Sequence, residues 1–474
     1  MIDLATLTIA SARKKLDAKE FTARELAMAY LAEIERKNPD INAYLEVYDD
    51  VLAQADEADR QIALGNIFPL TGIPVAIKDN ILIKGKKATS ASKILEGFVA
   101  PYDATVIEKL KKQHAVFLGR TNMDEFAMGG STENSAYGVT KNPIDPTRVA
   151  GGSSGGSIAS VAMNGALASL GSDTGGSVRE PAAFCGIVGL KPTYGSVSRH
   201  GLMAMGSSLD CIGPATKTVT DAEIIFNVIK GQDPLDSNTY PETLYSKATH
   251  KDTPLVIGVP FHLLERDGID PLARKNFTEG VETLKKCGYE IRDISIPTIQ
   301  YALAVYYIIM PAEVSSNMSR FDGVKYGLHV DGANLLEDYM KTRGVGFGAE
   351  VRRRILMGTY VLSTGYYDSF YGKALLVREK ISQDFATVFK DVDVIATPTT
   401  PGPAWKIGEK KDPLSVYLAD IFTVTANIVG IPAISLPSGE ISVGATSMPL
   451  GLQLMAPHNH EDVLFEVGKR FLKE

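Results

Sequence analysis

Apolar and polar positions follow two textures along this chain. Through the first 65 residues the period is helical. Leu26, Tyr30, Leu31 and Ile34 recur at spacings that share one helical face. Thr22 and Glu25 form a capping box ahead of them. Asn38-Pro39 is expected to stop this helix, because the residue before a proline avoids helical backbone. A second helix is predicted over Val51 to Ala63, closing near Gly65.

From about residue 70 the texture becomes short apolar runs separated by Gly-rich turns. Val75-Ala76-Ile77 reads as a strand, and so do Ala115 to Leu118 and Ala166 to Leu170. Ser157 to Asn164 reads as a small-residue helix with Gly165 as its stop. Further strands are predicted at Leu255 to Val259, Val392 to Ala396, Ala433 to Leu436 and Leu450 to Met455. Strands alternating with helices favour an α/β architecture around a largely buried sheet. The polar stretch from Tyr245 to Thr253 is expected to be a surface connection.

Composition adds limits. The 474 residues are 45% hydrophobic and 22% charged, enough for a sizeable core. The net charge of −7 argues against a free-standing nucleic-acid binder, which would carry a basic face. Arg13, Lys14 and Lys15 follow a short apolar run, the reverse of a signal peptide's order. No apolar run reaches the ~18 residues of a membrane span. A cytoplasmic protein without membrane contact is therefore expected. Cys185, Cys211 and Cys287 suggest neither disulfides nor a zinc site. His458 and His460 read as loop polar residues, and no metal is expected.

Two Gly/Ser clusters carry the chemistry. One is Gly151-Gly152-Ser153-Ser154-Gly155-Gly156-Ser157 and the other Asp173-Thr174-Gly175-Gly176-Ser177. Either alone could be a flexible loop. The second, however, runs from a buried strand into a helix expected near Val178, with Pro181 tolerated in its first turn. Unpaired N–H groups at such a junction suit the oxyanion formed when an amide carbonyl is attacked. Ser177 is placed there as the nucleophile. Neither cluster has the Lys of a phosphate-binding loop. Ser153 and Ser154 each fit G-x-S-x-G, but no strand precedes them and only His458 and His460 lie late enough to complete a Ser-His-Asp set. Lys78, ending the Val75-Ala76-Ile77 strand, is the better base, because burial can leave a lysine neutral near pH 7. Its alternative is a strand-end lysine snorkelling to solvent. The Val-Ala-Ile-Lys string also occurs in protein kinases, whose other motifs are missing.

These segments resemble the amidase signature family across nearly the whole chain. Gly72 to Asn80 is similar to its lysine strand, Gly151 to Ser157 to its Gly/Ser core, and Asp173 to Ser177 with Arg179, Pro181 and Gly186 to its nucleophile segment. The resemblance implies a large mixed central β-sheet covered by helices on both faces. It implies one catalytic domain over 66–474, with a helical segment, 1–65, packed on it. It also implies that Ser177 attacks, Ser153 on a cis peptide relays the proton, Lys78 is the final base and Ser154 supports them. The N–H groups of Thr174, Gly175, Gly176 and Ser177 would form the oxyanion hole.

Met123 to Gly129, Tyr306-Tyr307, Pro311-Ala312-Glu313, Arg353-Arg354-Ile355, Gly365 to Asp368 and Tyr417 to Asp420 resemble the glutaminase subunits of tRNA-dependent amidotransferases. That likeness implies glutamine as substrate and two further subunits in a heterotrimer. It implies tRNA held mainly by the partner, ATP and magnesium at the partner, and no cofactor in this chain. It places Arg354 on the glutamine carboxylate and Asp420 on its ammonium, with Tyr306, Gly129 and Ser131 lining the pocket. A stand-alone amidase for small or aryl amides, or a non-catalytic subunit on the same scaffold, remains an alternative at this level. Ser196 and Cys211 depart from the residues usual in the family.

Overall fold

A computed structural model describes residues 2–244, 254–266, 268–410, 412–444 and 446–474. The expected connection at Tyr245 to Thr253 lies outside the described residues. The described strands are β1 (Tyr44–Val47), β2 (Pro74–Lys78), β3 (Val116–Thr121), β4 (Ala168–Asp173), β5 (Val188–Lys191), β6 (Cys211–Thr216), β7 (Val256–Val259), β8 (Glu290–Asp293), β9 (Val394–Pro398), β10 (Ala433–Val443) and β11 (Thr446–Met455). They form one 11-stranded sheet in the order β1-β3-β2-β4-β6-β5-β10-β11-β9-β7-β8. The sheet is mixed: β2 runs parallel to both β3 and β4, while β4 and β6 are antiparallel.

Both faces are covered, and the alternation of side chains shows why. Val394 and Ala396 enter one core while Ile395 between them enters another. Ile434 and Leu454 face the first core, and their neighbours Ala433 and Met455 face the second. Strands with a dry layer on each side must read as continuous apolar runs, as these do.

The segment 1–65 is not purely helical, because Tyr44–Val47 joins the sheet edge antiparallel to β3. The preceding helix runs over Ala23–Ile41 and passes through Pro39 instead of stopping before it. Asn38 explains the extra turn. Its side chain donates to Tyr44 O at 3.0 Å and accepts from Tyr44 N at 2.8 Å, tying the last turn to β1. Asn42 then ends the helix in the left-handed conformation at φ 57°. The helix after Asp50 spans Val51–Ala63 as predicted.

Two boundaries matter for the site. The strand expected to end at Leu170 continues to Asp173, because antiparallel pairing with Cys211–Thr216 supplies partners for Gly171, Ser172 and Asp173. The helix expected from Ser157 starts two residues earlier, at Gly155, directly after Ser154. Both shifts bring the Gly/Ser clusters into regular structure.

Candidate active site

Lys78 ends β2 with no exposed surface. Its Nζ lies 2.8 Å from Ser153 Oγ, 2.8 Å from Ser154 Oγ, 2.9 Å from Ser172 Oγ and 3.1 Å from Ser172 O. The snorkelling alternative is thereby removed. Burial pushes the amine down from 10.5 to about 7, against the pull of Asp124, Asp173 and Asp210. A neutral amine has two hydrogens and one lone pair, so it cannot donate to all four oxygens. The Ser154 hydroxyl already donates to Ser172 O at 3.0 Å. Ser153 Oγ has no other partner among the described residues, so its hydrogen is free to point at the lone pair of Lys78.

The Gly152–Ser153 bond is cis. The loop around it is fixed from outside. Asp124 accepts from the N–H groups of Thr132 at 2.9 Å, Asn134 at 3.1 Å and Ser131 at 3.3 Å. The Thr132 hydroxyl donates to Gly151 O at 2.7 Å. Gly152 must be glycine here, since a Cβ would come within 2.1 Å of Asp124 Oδ2. Burial raises the Asp124 carboxyl to about 6.

Ser177 sits between β4 and the helix Arg179–Cys185. Its carbonyl accepts from Ser154 N at 3.1 Å, which joins the two clusters. Its hydroxyl makes no hydrogen bond among the described residues, so the link from Ser153 to Ser177 is not formed in this rotamer. Catalytic contacts often tighten only around bound substrate. Asp173 organises the turn. It accepts from Gly176 N at 2.9 Å and Val178 N at 3.1 Å, and Arg179 grips it from Nε at 3.0 Å and Nη2 at 2.9 Å. The guanidinium beside it holds the Asp173 carboxyl well below the usual range. Because Asp173 takes the Gly176 N–H, the expected set of four anion-facing donors is reduced to Thr174, Gly175 and Ser177. Asp210 pins Thr174 through its hydroxyl at 2.7 Å.

The expected pocket residues converge beside this turn. The Tyr306 ring covers Gly175, where a Cβ would approach Cζ and Oη within 2.6 Å. Gly129 and Ser131 flank the Asp124-held loop. Arg354 is 3% exposed, bonds Glu350 Oε1 through Nε at 2.8 Å, and lies 5.7 and 5.5 Å from the Tyr307 and Tyr417 ring centres. Its Nη2 meets no acceptor among the described residues. Asp420 is half-buried and accepts from the Tyr307 hydroxyl at 2.9 Å. Arg354 and Asp420 thus both meet Tyr307, the cation at its ring and the acid at its hydroxyl. Burial raises Asp420 to about 7. Tyr307, Tyr417, Glu350, Ser172, Asp173 and Asp210 were not singled out for roles by sequence. Tyr307 and Tyr417 lie inside the motifs noted for Tyr306 and Asp420, and Asp173 opens the nucleophile segment, so these three had a local signal. His458 and His460 each contact a main-chain carbonyl, of Val429 and of His458 respectively. No helix among the described residues is long and apolar enough to cross a membrane.

A buried lysine of lowered basicity on a serine hydroxyl, beside a strand-to-helix turn with free N–H groups, is the equipment of an amide hydrolase that uses lysine where others use histidine. The Amidase family model matches residues 25–465, and the chain belongs to that family. It is 49% identical over 475 residues to the A subunit of glutamyl-tRNA(Gln) amidotransferase from Desulfatibacillum aliphaticivorans, covering 99% of this chain and 97% of the relative. It is 50% identical over 479 residues to the A subunit of glutamyl-tRNA(Gln) amidotransferase from Carboxydothermus hydrogenoformans, covering 99% of this chain and 97% of the relative. The crystal structure of the A subunit of glutamyl-tRNA(Gln) amidotransferase from Thermotoga maritima superposes with a TM-score of 0.82 at 41% identity, covering 100% of this chain and 96% of that one. A peptide amidase bound to the competitive inhibitor chymostatin matches with a TM-score of 0.82 at 26% identity, over 99% and 97% of the two chains.

Proposed function

We propose that this chain is the glutaminase subunit of a tRNA-dependent amidotransferase, releasing ammonia from glutamine for a partner that amidates glutamate, or aspartate, carried on tRNA. The observation that carries the reading is the cation of Arg354 at the Tyr307 ring and the acid of Asp420 at its hydroxyl. Free glutamine needs a cation for its α-carboxylate and an anion for its α-ammonium, and Arg354 and Asp420 meet both needs. The names of relatives at about half identity support it.

The mechanism follows from the proton path. Neutral Lys78 takes the Ser153 proton as Ser153 takes that of Ser177. Ser177 Oγ then bonds to the carboxamide carbon, and the oxyanion is met by the N–H groups of Thr174, Gly175 and Ser177. The proton returns through Ser153 to the leaving nitrogen, the C–N bond breaks, and ammonia departs. Water attacks the γ-glutamyl ester by the same path and releases glutamate. ATP and magnesium belong to the partner in this scheme, as does most contact with tRNA, which suits a net charge of −7. A complex with two further subunits in the cytoplasm is the setting we assign.

The test is Ser177→Ala in the assembled complex. Glutamine hydrolysis and glutamine-dependent amidation should both be lost, while amidation driven by added ammonium persists. Loss of both nitrogen sources together would refute the division of labour. A stand-alone amidase is the second reading, favoured by the likeness to the peptide amidase. It predicts that simple amides are hydrolysed better than glutamine.

A further inference from the structure

Glu180 occupies the second position of the helix Arg179–Cys185 and is completely buried. Its Oε2 accepts from Gly152 N at 3.3 Å, one residue before Ser153. Its Oε1 is enclosed and has no hydrogen-bond partner. Neither oxygen meets a cation. The cation facing it, Lys410, is engaged elsewhere: its Nζ lies 3.8 Å from the Trp405 ring centre and donates to Ser415 O at 3.1 Å. The other charged groups facing Glu180 are the acids Asp420 and Asp124. Asp124 is spent on main-chain N–H groups. Both Glu180 oxygens lie 3.6 Å from where a Cβ would stand on Gly130, and Val416, four residues before Asp420, closes the same spot at 3.6 Å. The orphaned carboxyl therefore faces the Gly129-Gly130-Ser131 loop that lines the pocket.

A buried, unpartnered carboxyl oxygen is costly unless something completes it. Once Glu180 is ionised that oxygen needs a donor, and the neighbouring acid makes a cation the best one. We propose that Glu180 is a specificity-determining residue of the amide site, sharing with Asp420 a seat for the substrate's α-ammonium and releasing the proton the two acids hold between them when that cation arrives. This deepens the glutaminase reading and rests on it. Burial and the opposing Asp420 charge hold Glu180 well above the ordinary carboxyl range. Asp420, bonded by Tyr307 and balanced by Arg354 and Arg179, is the member that ionises more readily. Above pH 7, where Asp420 is ionised, Glu180 thus holds the remaining proton in the empty site. With R–NH3+ seated both are carboxylates, and one proton passes to solvent.

Calorimetry on the Ser177→Ala enzyme tests this. Glutamine is titrated near pH 8, where Asp420 at about 7 is already ionised, in two buffers of different ionisation heat, alongside glutaramate, which has the amide and carboxylate but no amine. The expected result is release of close to one proton with glutamine and none with glutaramate. Adding Glu180→Gln, which keeps an acceptor for Gly152 N–H, should remove the release and lower the preference for glutamine over glutaramate about tenfold. If Glu180→Gln weakens both ligands equally, its role is packing and the proposal is overturned. If glutamine binds without releasing a proton, this proposal alone fails. If glutamine does not bind at all, the glutaminase reading fails with it.

Discussion

The proton affinity of Lys78 sets the clearest quantitative expectation. Its amine is pushed from 10.5 to about 7 because it is buried among three serine oxygens and a carbonyl with no carboxylate in contact. At a pKa of about 7 the neutral fraction is about a tenth at pH 6, about half at pH 7 and about nine-tenths at pH 8. A lysine of ordinary basicity would be only about one part in 300 neutral at pH 8. The turnover number for glutamine should therefore rise about tenfold between pH 6 and 8 and then level off. Ammonia release at saturating glutamine measures it, because the turnover number reports groups in the bound complex while the carboxyls of the empty pocket enter through kcat/KM. A turnover number still climbing tenfold per pH unit at pH 9, or flat from pH 5 to 9, would refute this account of the base.

The same group makes a stability prediction whose sign can be checked independently. A lysine of lowered folded pKa costs stability most below that pKa, and the cost fades as pH rises from about 7 towards 10.5. Its full size is roughly 5 kcal/mol at about 1.4 kcal/mol per unit. Lys78→Met removes this cost and forfeits neutral hydrogen bonds to Ser153, Ser154 and Ser172, each worth about 1 kcal/mol. The balance is near zero or slightly favourable at pH 6 and unfavourable at pH 9. Thermal unfolding should show an inactive variant that melts at or above the parent at pH 6 and falls below it at pH 9. A variant melting far below the parent at pH 6 would show that the amine contributes more by bonding than it costs by burial.

Two further substitutions probe the supports. Arg354→Met should lower kcat/KM for glutamine about 10- to 100-fold through KM, the range of a charge-assisted hydrogen bond, and change little for an amide lacking the carboxylate; equal losses on both substrates would point to packing against Tyr307 and Tyr417 instead. Arg179→Met should destabilise the fold by about 3–5 kcal/mol, since it strands the buried Asp173 carboxylate, and a melting temperature within a degree of the parent would contradict the weight given to that pair.

What the sequence disclosed follows the range of the interactions. The helix at Val51–Ala63 rests on local pattern, and local pattern is enough; Lys78 and each Gly/Ser cluster kept a bland local alternative, and for Lys78 it is the buried contacts with Ser153, Ser154 and Ser172 that remove it. The end of β4 was misplaced because nothing near Leu170 reveals that Cys211–Thr216 pairs with it. β10 runs past the expected Ala433 to Leu436 because pairing with β11 carries it through a bulge between Pro437 and Gly439 and on to Val443. Pro39 failed to end its helix because the restraint lies in Asn38 reaching Tyr44. In each case the deciding partner is distant in sequence or is a side chain whose direction only the fold supplies.

The site shows the same division, with a consequence for reading such enzymes. Candidate reacting groups leave a trace in the sequence when taken together, because their chemistry demands particular residues at particular turns. The groups that set their protonation do not. Asp173, Asp210 and Glu180 are ordinary acids in the sequence, and the fold makes them different: one held ionised by Arg179, one raised to about 6 while pinning Thr174, one left without a counter-charge beside Gly152. Two carboxyls of nearly the same intrinsic strength thus stand at opposite ends of their range within one strand-to-helix turn, Asp173 at its start and Glu180 at its exit. That contrast arises because the Arg179 guanidinium reaches back to residue 173 and not forward to residue 180. The tuning of the turn therefore resides in the direction of one arginine, and moving that charge should disturb the nucleophile and the pocket together.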